Sequence, residues 1–449
     1  MPDTEKGKTW RKLSLISKRA ERDPNFTFTS LGHLLNEEFL KDCYKSLNRD
    51  TVKLPRKKGP AVGVDEVSWV EYGKNLDKNL ENLVERMKKK SYKPLPVKRV
   101  YIPKGNGEKR PLGIAAIENQ IVEKGIKIIL EKIYEEDFLD MSYGFRPKRN
   151  AHQALKELND EIMFKPVSYI VEADIKGFFD NVTHNRLMEL LKIRIKAPSL
   201  LFLIKRFLKA GYIENDKLIR TDSQGVAQGS ILSPILANIF LHYVLDEWFE
   251  EVVKEHTKGY SKMIRYADDF ICVVRYKKDA GKIRKGIENR LNKYGLKTNS
   301  RKTKVISFGR LERENAEKED RKPNTFDFLG FTHYCDKSRK GNFKLGRKTA
   351  RDKFRKAAKK INNWLRNIRN IIKTKKWWKI LKSKLRGHYQ YYGVSENYKA
   401  LERYYYRVIN LVYKWMNRRS EKSWMSTKDY SKYIRHYPLP KPKIVHRFY

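Results

Sequence analysis

Apolar residues recur at three- and four-residue spacing in two stretches near the start of the chain. LGHLLNEEFLKDCYKSL and WVEYGKNLDKNLENLVERMKKKSY, both within residues 30–92, show this spacing, which predicts amphipathic helices. Between them lies RDTVKLPRKKGPAVGVD, a basic segment marked by Pro and Gly. That composition predicts a connector rather than a third helix.

Strand-like and helical runs alternate over residues 95–335, a pattern that predicts a mixed α and β domain. VKRVYIPKGNGEKRPLGIA predicts two strands joined by a Gly-Asn-Gly turn. IENQIVEKGIKIILEKIYEEDF predicts an amphipathic helix, and VSYIVEADI predicts a strand that ends on an acid.

A strongly basic region follows, with twenty-one basic residues and one acidic residue between positions 337 and 386. Its apolar residues fall on one face of a predicted helix: Phe354, Ala357, Ala358, Ile361, Trp364, Leu365, Ile368 and Ile371. Aromatic residues then follow among the cations, and they either stack on nucleic-acid bases or fill a structural core: Trp377, Trp378, Tyr389, Tyr391 and Tyr392. The chain ends in YPLPKPKIVHRFY, which predicts an extended tail packed on the surface.

The charge balance of the 449-residue chain points to a polyanionic partner, because 99 Lys and Arg against 53 Asp and Glu leave a formal charge of +46. Nucleic acid is the leading interpretation and an anionic membrane the weaker one. The apolar run ILSPILANIFLHYVL is too short to span a bilayer, and MPDTEKGKTWRK has no hydrophobic signal region. We therefore expect no membrane partner and a cytoplasmic protein.

The three cysteines, Cys43, Cys272 and Cys335, lie far apart and form no CxxC pair. This spacing excludes a disulfide framework and a zinc finger of ordinary spacing. We expect free thiols.

Two adjacent acids, Asp268 and Asp269, interrupt the otherwise apolar run IRYADDFICVV. Repulsion and desolvation oppose such a pair unless a turn solvates it or a cation compensates it. A partner lies in YIVEADIKGFFDNVTH, where an apolar strand ends on Asp174 and Asp180 follows. Acids at strand ends provide the oxygen ligands that Mg²⁺ prefers, and a pair of such ions suits phosphoryl transfer.

YADDF resembles the metal-binding hairpin of reverse transcriptases, and the neighbouring blocks follow in that family's order. These blocks are VYIPKGNGEKRPLGI, SYGFRPKRNAHQAL, EADIKGFFDNVTH, GVAQGSILSPILANIFLH, NSRKTKVISFG and FDFLGF. KLRGHYQYYGV and LPKPKIVH resemble the maturase region of bacterial group II intron-encoded proteins. The resemblance covers nearly the whole chain from about residue 30.

The resemblance implies an α+β right-hand polymerase with fingers and palm, a helical amino-terminal extension and a basic helical thumb. The expected boundaries are 1–92 for the extension, 93–165 for the fingers, 166–335 for the palm, 336–400 for the thumb and maturase domain, and 401–449 for a short DNA-binding segment. The resemblance leaves open whether the connector at residues 51–63 is an extra RNA contact or a neutral insertion.

The resemblance assigns the catalytic and metal-binding roles to Asp174, Asp268 and Asp269, together with the backbone carbonyl of Ile175. Asp174 and Asp268 are expected to bridge two Mg²⁺ ions, with Mn²⁺ as an alternative, and Asp269 to be the less direct ligand. Asp180 is expected to cap the following helix.

The resemblance also assigns nucleotide contacts to Lys104, Arg110, Phe179, Gln228 and Lys302. Lys104 and Arg110 would clamp the triphosphate, Phe179 would lie under the incoming sugar, and Gln228 would contact the nucleotide near its sugar. From the residues alone, Phe179 is equally a core aromatic and Lys302 equally a solvated lysine.

The chain departs from the common group II pattern before and after Gln228, where VAQGS stands in place of Thr-Pro-Gln-Gly-Gly. Val226, Ala227 and Ser230 therefore change the backbone restraints of this loop. Further along, Leu329 and Gly330 match the primer grip. The predicted nucleic-acid contacts of the basic region are Arg347, Lys348, Arg355, Lys359, Trp377, Arg386 and Tyr391.

The activity implied by the resemblance is synthesis of DNA on an RNA template from a DNA primer, using deoxynucleoside triphosphates. The implied partners also include a structured intron RNA, whose splicing the protein would assist, and a target DNA. A location in the bacterial cytosol follows, at the nucleoid when the protein is bound to DNA. No endonuclease motif with paired cysteines follows residue 446, so second-strand cleavage is not expected. Two alternatives remain, a splicing-only RNA-binding maturase and a domesticated or host-defence reverse transcriptase.

Overall fold

The computed structural model describes residues 7–49, 62–103, 109–300, 302–419 and 424–448. The amino-terminal part is helical, as the apolar spacing predicts, with α2 (Glu37–Arg49), α3 (Trp69–Gly73) and α4 (Leu76–Lys88). A further helix, α1 (Lys8–Arg22), precedes them and was not predicted, although Leu13 and Ala20 bury its apolar face. The central part of the connector lies outside the described residues.

A small sheet in the order β2-β1-β4-β5 carries the predicted hairpin. β1 (Val97–Pro103) and β2 (Lys109–Ile114) pair antiparallel, while β4 (Tyr212–Glu214) and β5 (Lys217–Ile219) extend the sheet. The predicted long helix follows as α5 (Ile117–Asp137). The hairpin is confirmed, but its turn, including Lys104, lies outside the described residues.

The central sheet has the order β6-β7-β3-β8. It consists of β6 (Ser261–Tyr266), β7 (Asp269–Val274), β3 (Tyr169–Asp174) and β8 (Lys304–Ser307). β7 is buried from its second residue onward, because helices pack on the sheet. These helices include α6 (Ala151–Phe164) and α11 (Lys277–Lys293).

Shorter helices lie between the strands along the chain. They are α7 (Phe178–Asn181), α8 (His184–Arg194), α9 (Pro198–Lys209), α10 (Ser233–Leu241) and α12 (Arg310–Lys318). Beyond α10 the helix widens into π-helical turns at His242–Asp246 and Phe249–Val253.

A third sheet, in the order β11-β10-β9, leads into the basic helices. Its strands are β9 (Thr325–Phe328), β10 (Phe331–Lys337) and β11 (Phe343–Thr349). The helices are α13 (Arg351–Ile368), α14 (Thr374–Tyr392), α15 (Tyr398–Met416) and α16 (Thr427–His436). α13 confirms the predicted amphipathic helix, except that it ends at Ile368 and leaves Ile371 exposed.

The carboxy-terminal segment is extended and packed, as its Pro content predicts. His446 bridges to Val394 in the backbone, and Leu439 and Phe448 are buried. The cysteines are free and buried, as expected. In the described ranges, no helix combines the length and apolar character needed to cross a bilayer.

Candidate active site

Strand pairing places the predicted acids side by side at one end of the central sheet. β3 runs antiparallel to β7, and this register sets Asp174 directly opposite Asp269. Asp268 occupies the turn that joins β6 to β7. Three acidic residues from two separate segments therefore lie at one edge of the sheet.

A buried arginine fixes the turn that carries Asp268. The Arg265 guanidinium is fully buried, forms an ion pair with Asp246, and donates to the carbonyl of Ala267 at 3.0 Å and to Asn238 at 3.1 Å. Ala267 has φ of 58°, a left-handed conformation that is costly for a residue with a Cβ. The buried hydrogen bonds of Arg265 offset that cost and hold the turn in one geometry.

Burial and neighbouring acids raise the pKa values of Asp268 and Asp269. Burial, reinforced by Asp268 and Asp174, raises the pKa of Asp269 to about 7, although its side chain keeps contact with solvent. Burial and the charge of Asp174 also raise the pKa of Asp268, whereas Arg110 and Arg265 oppose the shift. A carboxylate cluster of this kind favours a bound cation.

Lys302 and Asn299 both hydrogen-bond to the Asp174 carboxylate. Lys302 Nζ lies 3.1 Å and Asn299 Nδ2 3.2 Å from Asp174 Oδ2, and the Asn299 N–H donates to the Asp174 carbonyl at 2.8 Å. Ile175 is buried and bridges to Thr298. Within the part of the chain that the structure describes, no three His, Cys, Asp or Glu side chains converge closely enough to hold a metal ion.

Besides Lys302, two of the predicted nucleotide contacts, Arg110 and Phe179, lie on elements around this edge. Arg110 is exposed on β2, opposite Ile102, and acts electrostatically on Asp268. Phe179 is half-buried in α7, and its ring meets that of Phe178 edge to face at 5.3 Å. The structure therefore shows both an exposed part and a core-packed part of the Phe179 side chain.

Gln228 lies in a loop fastened to β2. Its carbonyl accepts from the Gly113 N–H at 2.6 Å, and Gly229, at φ of 107°, approaches Gly113 so closely that an added Cβ would lie 2.6 Å from the Gly113 carbonyl oxygen. The loop borders a cleft of about 430 Å³ whose lining includes Arg99, Asp180 and Arg220.

Glu123 supports the same loop from beneath. This α5 carboxylate is buried and accepts from the Ile231 N–H at 2.9 Å, with a second hydrogen bond from Ser230. Burial raises the pKa of Glu123 to about 7. The serine that departs from the family pattern therefore has a specific partner.

The prediction that Asp180 caps the following helix is wrong. Asp180 lies inside α7, and the residue preceding α8 is Thr183, which makes no capping hydrogen bond through its side chain. Asp180 does not cap α8 because the short helix α7 intervenes between β3 and α8. Asp180 is exposed and borders the cleft.

The predicted primer grip forms a tight turn between β9 and β10. Leu329 and Gly330 have φ of 48° and 82°. The Tyr391 hydroxyl donates to the Leu329 carbonyl at 2.9 Å, and the Ala350 N–H donates to the Gly330 carbonyl at 3.0 Å. The half-buried Tyr391 thus connects the turn to α14.

The basic region divides into buried and exposed members. Lys348, Arg355, Lys359 and Arg386 are exposed. The prediction that Arg347 and Trp377 contact nucleic acid is wrong, because both are buried. Arg347 donates to Asn159 and lies over the Phe448 ring, while Trp377 packs among the helices that hold Trp364 and Trp378.

The sequence analysis missed three residues that shape the site: Glu123, Arg265 and Asn299. Asn299 opens a block that was recognised as a whole, and Arg265 stands directly before YADD, so both positions carried a signal. Glu123 occupies a buried position of a predicted amphipathic helix, and an acid there indicated a specific partner.

Comparison with known proteins identifies the family. The reverse transcriptase (RNA-dependent DNA polymerase) family matches residues 102–333. Protein YkfC of Escherichia coli is 32% identical over 57% of this chain and 73% of its own length. The group II intron-encoded protein LtrA of Lactococcus lactis is 38% identical over 51% of this chain.

The match spans only 37% of the LtrA length. Among solved structures, apo telomerase from Candida tropicalis aligns with a TM-score of 0.40 at 18% identity, over 56% of this chain and 54% of that one. The family match covers more than half of the chain. The chain belongs to the reverse transcriptase family.

Proposed function

We propose that this protein is an RNA-directed DNA polymerase that extends a DNA primer on an RNA template with deoxynucleoside triphosphates. The observation that carries the proposal is the register of β3 and β7, which sets Asp174 opposite Asp269 beside the turn bearing Asp268. Family membership supports the same reaction.

The acids suit Mg²⁺ in donor chemistry and in charge. All three offer only oxygen ligands, and burial together with the neighbouring carboxylates raises the pKa values of Asp268 and Asp269. Asp174 and Asp268, with the Ile175 carbonyl, would hold two ions, with Mn²⁺ as the alternative, and Asp269 would assist. Bound ions would supply positive charge to the attacking and leaving oxygens.

Lys302 acts as a substitute cation for Asp174 in this proposal. Its ammonium lies 3.1 Å from the Asp174 carboxylate, and both side chains contact solvent. The neutral Asn299 amide donates to the same carboxylate oxygen, so it keeps Asp174 oriented when Lys302 moves away to a phosphate. Lys302 therefore serves both the acid and the nucleotide.

The incoming nucleotide would occupy the space between β2 and the central sheet. Arg110, on the hairpin of β1 and β2, acts electrostatically on Asp268. Gln228 is held by the hydrogen bond that its carbonyl accepts from the Gly113 N–H. Phe179 is half-buried, and the exposed part of its ring would lie beside this space and exclude a ribose 2′-hydroxyl. Lys104 completes the proposed triphosphate contacts.

Binding of a structured group II intron RNA and assistance to its splicing form the second proposed function. Its support is the set of exposed cations on and before α13 and on α14, namely Lys348, Arg355, Lys359 and Arg386. A folded surface with this excess of cations attracts phosphates. The ribonucleoprotein would then act on a target DNA. A splicing-only maturase and a host-defence enzyme are the competing proposals.

The proposed domain layout follows from the same assignment. The extension covers residues 1–92, the fingers 93–165, the palm 166–335, the thumb 336–400 and the DNA-binding segment 401–449.

The test is primer extension on an RNA template by the wild type and by the Asp268→Ala, Asp269→Ala double variant. The proposal expects DNA synthesis by the wild type only, with RNA binding retained by both. Asp216→Asn, an exposed acid between β4 and β5, is the matched control. Equal synthesis by the double variant would refute the assignment, and splicing without any synthesis would support the splicing-only alternative.

A further inference from the structure

An exposed aromatic residue in a strained conformation stands beside the acid-bearing turn. Phe145, in the SYGFRP block, has φ of 58° and is 53% exposed. A bulky residue rarely adopts positive φ, and such strain persists only where the surroundings enforce it. Packing of the ring in a core does not account for an aromatic residue in this strained conformation, because Phe145 is more than half exposed.

The backbone around Phe145 is fixed against the turn between β6 and β7. Gly144 lies so close that an added Cβ would be 2.3 Å from the Ala267 nitrogen. The Asn238 side chain donates to the Gly144 carbonyl at 2.7 Å, and the Tyr143 N–H donates to the Arg265 carbonyl at 2.8 Å. Phe145 is therefore held in a constant position relative to Asp268.

The other side of the same loop is equally restrained. Arg146 is buried, and its guanidinium donates to the carbonyls of Leu139 and Ser142 at 2.7 and 3.0 Å and pairs with Glu135. Asn238 also accepts from Arg265, the residue that holds Ala267. Two strained residues, Phe145 and Ala267, thus share one buried hydrogen-bond network.

We infer that Phe145 is a binding residue for the primer, whose ring packs on the 3′-terminal nucleotide and holds its hydroxyl against the acids. The inference rests on the proposed polymerase function. The primer end must reach Asp268, so it passes over the surface next to this turn. Aromatic rings contact nucleotides of any sequence, as a general polymerase requires.

The test uses primer extension by the full chain carrying Phe145→Ala, Phe145→Tyr or Phe145→Gly. Phe145→Ala is expected to reduce kcat/KM for the primer–template about tenfold, a loss typical of one aromatic–nucleotide contact. Phe145→Tyr keeps the ring and stays near wild type. Phe164→Ala, which removes a ring that is 74% exposed at the end of α6, is the matched control and leaves extension unchanged.

Phe145→Gly separates a binding role from a folding role. Glycine accepts positive φ without strain, so the melting temperature should not fall, yet extension should drop as in Phe145→Ala. A loss of activity that merely followed a loss of thermal stability would overturn the inference.

A primer lacking its 3′-terminal base identifies the contacted strand. The losses from this primer and from Phe145→Ala should combine to less than their product, because both remove the same contact. Independent losses, coupling to an abasic template position instead, or unchanged extension by Phe145→Ala would overturn the inference while the wild type remains a polymerase. A wild type that extends no primer would instead overturn the proposed function and this inference with it.

Discussion

The acidic edge of the central sheet and the basic helices after it differ in how sequence determines the position of charge. At the acidic edge, the strands before Asp174 and after Asp269 fix the acids through a hydrogen-bonded ladder. In the basic region, twenty-one cations are spread over two strands, two helices and the segments that join them. There, Arg347 and Lys348 are successive residues of β11 and face opposite sides of its sheet, so that Arg347 is buried and Lys348 exposed.

At the acidic edge, strand register sets where each charged side chain lies. In the cation-rich segment, the contacts of each side chain decide whether it is buried in the core or exposed to a ligand. A one-residue change of register would reverse the facing of a whole strand. Arg347 and Lys348 are adjacent and chemically similar, yet one supports the Phe448 ring and the other meets solvent. Substitutions at the acidic edge should therefore reduce catalysis, whereas substitutions in the basic region should reduce stability or RNA binding.

The largest expected effect is at the acidic edge. Asp174→Asn should reduce primer extension by about 100- to 1000-fold, as removal of one catalytic electrostatic partner does, while the folded protein keeps its melting temperature. Lys302→Met should reduce it by about tenfold, since Lys302 only assists. Single-nucleotide incorporation measures both. If Lys302→Met proved as inactive as Asp174→Asn, Lys302 would have a direct part in the reaction.

Removing a buried ring from the basic helices should affect folding instead. Trp377→Ala is expected to lower the free energy of unfolding by about 3–5 kcal/mol, because its ring is buried among α13 and α14. Trp424→Ala, which removes a ring that is 75% exposed, is the matched control. Denaturant unfolding measures the difference. If Trp377→Ala kept the stability of the wild type but bound RNA more weakly, this prediction would be contradicted. The nucleic-acid contact predicted for Trp377 from the sequence would then be restored.

Glu123 should make stability depend on pH. Its folded-state pKa of about 7 lies above the ordinary value of 4.5, so its contribution is fully present below pH 4.5 and is lost as pH rises through about 7. Glu123→Gln should therefore gain stability relative to wild type with rising pH, by about 2 kcal/mol between pH 5.5 and 8. Unfolding at pH 5.5 and 8 measures it.

Glu136→Gln, an exposed position on the same helix, is the control for Glu123→Gln and should leave the pH profile unchanged. If the stability of Glu123→Gln and of the wild type changed with pH in parallel, the Glu123 carboxyl would not bind its proton more tightly in the folded state.

The smallest effect is expected from exposed cations. The triple variant Arg355→Gln, Lys359→Gln, Arg386→Gln should flatten the dependence of log K on log salt for intron RNA by about 2, since each lost phosphate contact removes about 0.7. Filter binding from 50 to 200 mM salt measures this slope. Equal substitution of Lys277, Lys278 and Lys282, exposed on α11, should leave it unchanged.

Much of the fold was predictable where pattern and register act locally. The hairpin of β1 and β2, the helix α5 and the strand ending on Asp174 follow directly from apolar spacing. α1 was missed although Trp10, Leu13 and Ala20 already show helical spacing. The cap assigned to Asp180 failed because the short helix α7 depends on Gly177 in a left-handed conformation, which the sequence leaves undetermined.

The candidate site was predictable in its acids and less so in their supports. Asp174, Asp268 and Asp269 carry the family pattern, whereas Glu123 and Ser230 meet only after α5 packs beneath the loop. Arg347, on strand β11, finds its buried partner Asn159 on α6, far away in sequence. Such long-range pairings have no local signal.

Binding of Mn²⁺, followed by the loss of the free-ion electron paramagnetic resonance signal, tests the central claim most directly. Titrations would use the complex with primer, RNA template and a nonhydrolysable deoxynucleotide, with Asp216→Asn as control. The account predicts that Asp268→Asn with Asp269→Asn weakens Mn²⁺ binding at least about tenfold relative to wild type, because two anionic ligands are lost. Equal affinity in the two proteins would contradict it.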